Sequence, residues 1–259
     1  MKTFNAMALS LALGAGIALA QSAQNPSHSA MDQQIASYLH QEFSKNKKLA
    51  DVNASVQDQI VTLSGTVPDY RTKLEAIKDA QQVQSANGFI DRLRVTGPTV
   101  PDQQLKKEIA TRLTYDRIGM GQTFNAMDVK VDNGVVTIGG EVRDYADRDS
   151  AVDIVADTKG VKGVIDNIKV APVSMMDDQI RLEAAQRIYG NPDLRKYAQN
   201  PAHPIRIVVN QGNVTLDGVV DSQLDKTLAG NAVRGMSNVF QVKNNLVVAN
   251  GNNSNKSGK

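Results

Sequence analysis

The sequence predicts an α+β protein of three tandem small modules, each with the element order αββαβ. A V-T-L/I-x-G-x-V segment occurs three times, an acidic helix start precedes each occurrence, and an apolar strand pattern closes each unit. The shared glycines of the repeated segment lie 75 and then 78 residues apart. Self-similarity at a long, nearly constant period indicates a repeated structural unit, and a unit of this length can fold as a small domain.

Residues 1–20 have the pattern of a cleavable signal peptide. Lys2 precedes an apolar run that ends in the small residues Ala18 and Ala20. This run is shorter than the roughly 20 residues that a membrane-spanning helix needs, which disfavours a retained anchor. We therefore expect export to the periplasm, a flexible leader over 21–30, and no transmembrane segment in the mature chain.

Composition excludes several kinds of chemistry. The chain has no cysteine, which excludes disulfides, thiolate metal sites and cysteine nucleophiles. Its formal net charge of +2 gives no electrostatic footprint for nucleic acid. The three histidines share no spacing that would place two of them as metal ligands. We therefore predict no catalytic residues, no metal, no cofactor and no enzymatic activity.

Each module begins with a helix that opens on an aspartate. The three aspartates are Asp32, Asp102 and Asp177. Apolar residues follow at positions i, i+4 and i+8, which buries one helix face. We expect each carboxylate to accept hydrogen bonds from the first turn of its own helix.

A hairpin and its returning strand follow the first helix. Asn133-Gly134 favours a type I′ turn, which needs positive φ at both central residues. Gln211-Gly212 and Asp58-Gln59 are weaker versions of the same signal. Alternation along the returning strand places Gly65, Gly140 and Gly218 toward the core. We interpret these glycines as packing positions where a helix crosses the sheet closely.

A second helix and a closing strand complete each module. The second helix starts at Tyr70, Tyr145 or Gln223. A right-handed crossover then gives a three-stranded mixed sheet with both helices on one face. The predicted modules span residues 31–97, 102–171 and 176–249, and a polar, disordered tail spans 250–259.

These features resemble the BON module, a family named for osmotically inducible periplasmic and nodulation proteins of bacteria. The resemblance is carried by the D-x-x-I/L helix start, the V-T-L-x-G-x-V strand and a closing G-V-x-x-V-x-N-x-x-V segment, seen from Gly160 to Val170. Arg92 departs from this pattern, because the other copies have Asn167 and Asn245 at that position. The resemblance implies a periplasmic, stress-associated protein that contacts phospholipid surfaces or assists envelope proteins, with no shared catalytic motif.

Basic residues and tyrosines recur around the start of the second helix. An aromatic ring suits a membrane interface and a cation pairs with phosphate, which makes this a candidate headgroup-contact set. Ordinary solvated surface charge is the alternative interpretation. The set comprises Tyr70, Arg71, Lys73, Arg143, Tyr145, Arg148 and Lys226.

Two functions are open at this point. One is an envelope binding protein whose modules attach to phospholipid surfaces or to membrane-associated partners. The other is a periplasmic chaperone or interaction scaffold that holds envelope proteins through grooves or exposed edge strands. Linked copies would strengthen either kind of weak contact through avidity.

Overall fold

The computed structural model describes residues 26–115, 123–200 and 203–249. The predicted α+β class and the three tandem αββαβ modules are confirmed. The predicted signal peptide and the predicted tail lie outside the described residues. The first helix starts at Pro26, so the described part of the segment expected to be a flexible leader is helical.

The three modules use equivalent elements in the same order. The first module contains α1 (Pro26–Ser44), β1 (Val52–Gln57), β2 (Ile60–Val67), α2 (Tyr70–Gln81) and β3 (Gly88–Val95), with a 3-10 turn at Lys47–Leu49. The second contains α3 (Asp102–Tyr115), β4 (Ala126–Asp132), β5 (Val135–Val142), α4 (Tyr145–Ala156) and β6 (Gly163–Val170). The third contains α5 (Met175–Gly190), α6 (Lys196–Gln199), β7 (Arg206–Asn210), β8 (Asn213–Asp217), β9 (Val219–Val220), α7 (Gln223–Val233), β10 (Gln241–Asn244) and β11 (Val247–Val248).

The three-stranded sheet of each module is mixed, as predicted. In the first module β2 is central, antiparallel to β1 and parallel to β3. The second and third modules repeat this order around β5 and β8. Alternate residues of the central strand, such as Val61 and Leu63, are buried against the two helices, while the other face of the sheet carries mostly polar side chains. Each module therefore has one helix-covered face and one open face.

The aspartate of the first helix binds the hairpin turn and not its own helix. The carboxylate of Asp32 accepts hydrogen bonds from the backbone N–H groups of Asp58 and Gln59 at 3.0 and 2.8 Å. Asp102 and Asp177 make the same pair of bonds to the turns of the second and third modules. The predicted N-cap role is wrong, because the three carboxylates are directed at the neighbouring hairpins. α1 begins six residues before Asp32, α5 begins two residues before Asp177, and α3 begins at Asp102 itself.

This carboxylate explains how a turn without glycine adopts type I′ geometry. Asp58 and Gln59 have φ of 52° and 62°, the same positive pair that Asn133 and Gly134 show in the second module. A left-handed conformation costs a non-glycine residue roughly 1–2 kcal/mol. Hydrogen bonds to a charged acceptor contribute about 1.5–3 kcal/mol each, so the bonds to Asp32 offset that cost.

The close approach predicted at the strand glycines is made by backbone and not by a helix. Gly65, Gly140 and Gly218 have φ of 111°, 109° and 140°. The space that a side chain would occupy at Gly65 is filled by the carbonyl oxygen of Asp51, the residue before β1. The carbonyl oxygens of Ala126 and Pro204 occupy the same place in the other modules. The predicted helix crossing is therefore wrong, and these glycines let the antiparallel neighbour approach.

The third module departs most from the repeat. Its central strand is interrupted at Gly218, so that β9 and β11 pair separately from β8 and β10. An insertion between its first helix and first strand forms α6, whose Tyr197 hydroxyl donates to the Asp225 carboxylate at 2.6 Å. Burial alone would raise the pKa of Asp225, but hydrogen bonds from Tyr197 and Lys196 outweigh it and lower that pKa. These hydrogen bonds hold the inserted helix α6 against the start of α7.

We expect Asp177→Ala to lower the free energy of unfolding by about 3 kcal/mol, because it leaves two turn N–H groups without their charged acceptor. Asp177→Asn keeps one acceptor oxygen and should lose less. Urea unfolding of the full chain measures both, with the exposed Asp193→Ala as the control. An Asp177→Ala variant as stable as the control would contradict the assigned role.

We expect Gly140→Ala to destabilise the protein by more than about 2 kcal/mol, because the added methyl group meets the Ala126 carbonyl at a positive φ. Gly88→Ala is the matched control, since a side chain there meets no atom within 4 Å. Thermal unfolding should separate the two variants clearly. Equal melting temperatures would refute the proposed close approach.

Candidate functional site

The second helices place the predicted headgroup-contact residues. Asp69, Asp144 and Ser222 cap α2, α4 and α7 by accepting hydrogen bonds from the backbone three residues on. Tyr70 and Tyr145 are consequently the first residues of their helices. A capped helix start fixes the direction of the side chains in its first turn.

Two members of the set, Tyr70 and Arg71, lie at the junction between the first and second modules. Arg71 pairs with Asp153 at 2.9 Å and with Asp157 at 2.5 Å, both on the acidic face of α4 and its C-terminus. The hydrogen bond that Arg71 donates to the Asp157 carboxylate is the largest cause that raises the pKa of Arg71. Tyr70 packs against the core of the second module, and burial raises its pKa.

Lys73 and Arg148 tie the second helix to the third strand within their own modules. Lys73 binds Asp91 at 2.7 Å, and Arg148 binds Asp166 at 2.6 Å. The equivalent strand residue in the third module is Asn244, whose amide donates to the backbone carbonyl of Lys226 at 2.8 Å. The shared cationic position therefore has a structural partner in two modules, and the Lys226 ammonium has no ion pair within the described ranges.

Arg143 and Tyr145 point outward from the second module. Tyr145 is 70% exposed. The Arg143 side chain is 42% exposed and forms an ion pair with the neighbouring Asp144 at 3.5 Å. The structure thus divides the predicted set into junction residues, internal ion pairs and outward-facing residues, and it does not bring them together at one place. Their role in headgroup contact stays a prediction.

The open sheet faces of the second and third modules line a shared cleft of about 530 Å³. Asn210 donates to the Glu141 carboxylate across it at 2.7 Å. Its charged lining is balanced and consists of Asp128, Glu141, Lys169, Arg206, Asp217 and Lys243. Burial lowers the pKa of Arg206. Sequence reasoning missed this cleft, because no local pattern reports which sheet faces meet.

The second and third modules also share core and backbone contacts. Phe124, from the loop before β4, is buried in the hydrophobic core of the third module. The Ile207 N–H of edge strand β7 donates to the Thr123 carbonyl at 2.6 Å. The Val209 carbonyl of the same strand accepts from the buried Arg181 at 2.6 Å. Part of this sheet edge is thereby occupied by the protein itself.

Exposed apolar residues lie on two segments that contact the hairpin turn of the third module. Met175 is 84% exposed and begins α5, whose Asp177 binds the hairpin turn. Phe240 is 77% exposed and donates its backbone N–H to Gly212 of that turn at 2.9 Å. Met176 and Val173 are exposed near Met175 along the chain. We call Val173, Met175, Met176 and Phe240 the apolar hairpin cluster.

Comparison with known protein families gives three matches to the family described as BON domain, at residues 31–97, 101–172 and 177–250. These matches cover most of the chain. The chain belongs to the BON family. The resemblance predicted from the sequence is thereby confirmed, including its three tandem copies.

Among curated proteins, this BON chain is similar to the osmotically-inducible protein Y of Escherichia coli (strain K12). The two are 29% identical over 131 residues, which span 48% of this chain and 64% of that protein. A solved structure of CdsD, described as a structural protein of the type III secretion system of Chlamydia trachomatis, aligns over 83% of this chain and 92% of that chain. With 12% identity and a TM-score of 0.23, that alignment carries no argument.

Within the described ranges, no helix of this BON protein has both the length and the apolarity needed to cross a bilayer. The same residues contain no group of three or more histidine or carboxylate side chains placed to hold a metal ion. The candidate sites that remain are surfaces: the outward-facing basic residues, the apolar hairpin cluster and the open sheet faces.

We expect Arg71→Ala and Asp157→Ala to show a coupling free energy of about 1 kcal/mol in a double-mutant cycle, because their ion pair joins two BON modules. Denaturant unfolding of the four proteins measures it. The exposed pair Lys45–Glu42, at the C-terminal end of α1, is the control and should couple by less than about 0.5 kcal/mol. A coupling free energy no larger than that of the control pair would contradict the conclusion that this ion pair joins the first and second modules.

Proposed function

We propose that this BON protein is a periplasmic, stress-associated binding protein of the bacterial envelope whose modules attach to phospholipid surfaces. Membership of the BON family and similarity to an osmotically-inducible protein support the stress and envelope assignment. The export pattern of residues 1–20 supports the periplasmic location.

The observation that carries the phospholipid assignment is the apolar hairpin cluster. A soluble monomer rarely exposes several large apolar side chains together unless they contact a membrane or another protein. Full burial of a methionine or phenylalanine side chain contributes about 1.5–3 kcal/mol. Net charge is too small to hold the protein at an anionic surface by itself, so apolar contact must supply part of the affinity.

A chaperone or scaffold for envelope proteins is the alternative function. The apolar hairpin cluster would also suit an unfolded client. The edge-strand route has less support, because the Thr123 carbonyl already accepts from the Ile207 N–H of β7 and Arg181 already donates to the Val209 carbonyl of that strand. Suppressed aggregation of a client protein without any lipid would favour this alternative.

We expect residues 21–259, the chain without its predicted signal peptide, to float with vesicles that contain anionic phospholipid. Met175→Gln with Phe240→Gln should lower the bound fraction by roughly tenfold or more, since two apolar side chains no longer enter the interface. Leu224→Gln is the control, because Leu224 is exposed at the start of α7, near α6 and the far end of α5. Wild-type protein that stays in the bottom fraction of the gradient, away from the vesicles, at both low and moderate salt would rule out the phospholipid assignment.

A further inference from the structure

The open face of the first module's sheet differs in charge from those of the other two modules. The side chains on it come from alternate positions of β1, β2 and β3. None of them is acidic, and two are arginines. The face consists of Asn53, Ser55, Gln57, Ile60, Thr62, Ser64, Thr66, Gly88, Ile90, Arg92 and Arg94.

Both arginines of this face are free to bind an external anion. Arg92 and Arg94 are exposed, and within the described ranges neither guanidinium has an ion-pair or hydrogen-bond partner. The parallel register places Arg92 beside Ser64 and Arg94 beside Thr66. The Cα atoms of Arg92 and Arg94 are about 7 Å apart along the strand. Two guanidinium groups on this spacing, each next to a hydroxyl donor, suit separate phosphate groups on a surface.

The equivalent faces of the other modules are turned toward each other. Both line the cleft that Asn210 and Glu141 bridge. The second module's face also carries Asp128 and Glu141, which balance its cations. At the position of Arg92 the second module has Asn167. The first module alone thus combines an uncovered sheet face with unbalanced positive charge.

One end of the same face is apolar. Ile60 follows the hairpin turn and is 42% exposed, and Ile90 is 43% exposed on the adjacent strand. Ile90, Arg92 and Arg94 follow one another at alternate positions of β3, so apolar and cationic side chains share one surface. A flat surface with an apolar end and arginines beyond it matches a bilayer interface, where acyl chains and phosphates lie close together.

We propose that the open sheet face of the first module is the surface that this protein lays against anionic phospholipid. This inference rests on the proposed phospholipid-binding function and assigns it to a face. The first module then contributes charge-dependent contact, while the apolar hairpin cluster of the third contributes apolar contact, and their linkage multiplies two weak attachments.

The test is vesicle flotation of residues 21–259 with Arg92→Gln and Arg94→Gln combined. Each basic residue near an anionic surface contributes about fivefold to partitioning, so we expect the bound-to-free ratio to fall by roughly 30-fold. The variant with Arg92→Lys and Arg94→Lys should bind like the wild type. Lys130→Gln with Lys169→Gln removes the same charge from exposed positions on the second module's face and should change binding by less than about twofold. Circular dichroism and urea unfolding of every variant confirm that the fold is kept.

The outcomes separate this inference from the proposed function. Wild-type flotation that the Arg92 and Arg94 variant retains in full would overturn the assignment of the face and leave phospholipid binding standing. Equal losses in that variant and in the Lys130 and Lys169 control would overturn it too, because net charge alone would then explain binding. A wild-type protein that ignores vesicles but binds polyglutamate through Arg92 and Arg94 would make the occupant an acidic protein and overturn both proposals.

Discussion

Each module depends on one carboxylate that joins its first helix to its hairpin turn. Asp32, Asp102 and Asp177 each accept two turn N–H groups, at 2.8–3.0 Å. These two hydrogen bonds hold the first helix against the hairpin. They also satisfy the backbone N–H groups of the type I′ turn, which point away from the strands. Helix, hairpin and core therefore form as one unit, which explains why the sequence repeats the aspartate although it caps no helix in the way that its position predicted.

The modules are similar inside and different where they meet. Between the first and second modules, Arg71 and Tyr70 of α2 contact α4 and β6. Between the second and third, the contact is made by sheet faces and by Phe124 in the next module's core. The repeated apolar pattern gives the three modules similar cores. The residues at exposed positions differ between modules, and they determine which surfaces of neighbouring modules contact each other. The same substitutions leave the first module's sheet face uncovered.

The predicted headgroup-contact residues show which features a local sequence pattern can and cannot predict. Lys73, Arg148 and Lys226 share a position, and that regularity suggested a shared surface function. In the structure the first two form ion pairs with strand carboxylates, Asp91 and Asp166, which stand at one equivalent position of the third strand. The sequence does not indicate these ion pairs, because each cation is about 18 residues from its carboxylate. Only the crossover between the two parallel strands brings them together.

The sequence alone determined the three αββαβ modules, the mixed sheets and the membership in the BON family, because periodicity, turn residues and a threefold repeat are local properties that survive without coordinates. It also located Gly65, Gly140 and Gly218 as positions of close approach. Only the tertiary structure decided that the approaching group is the carbonyl of a neighbouring strand, that the aspartates bind hairpin turns, and which sheet faces stay open. These outcomes depend on contacts between residues that are distant in the chain. Such contacts produce no periodic pattern in the sequence of either segment.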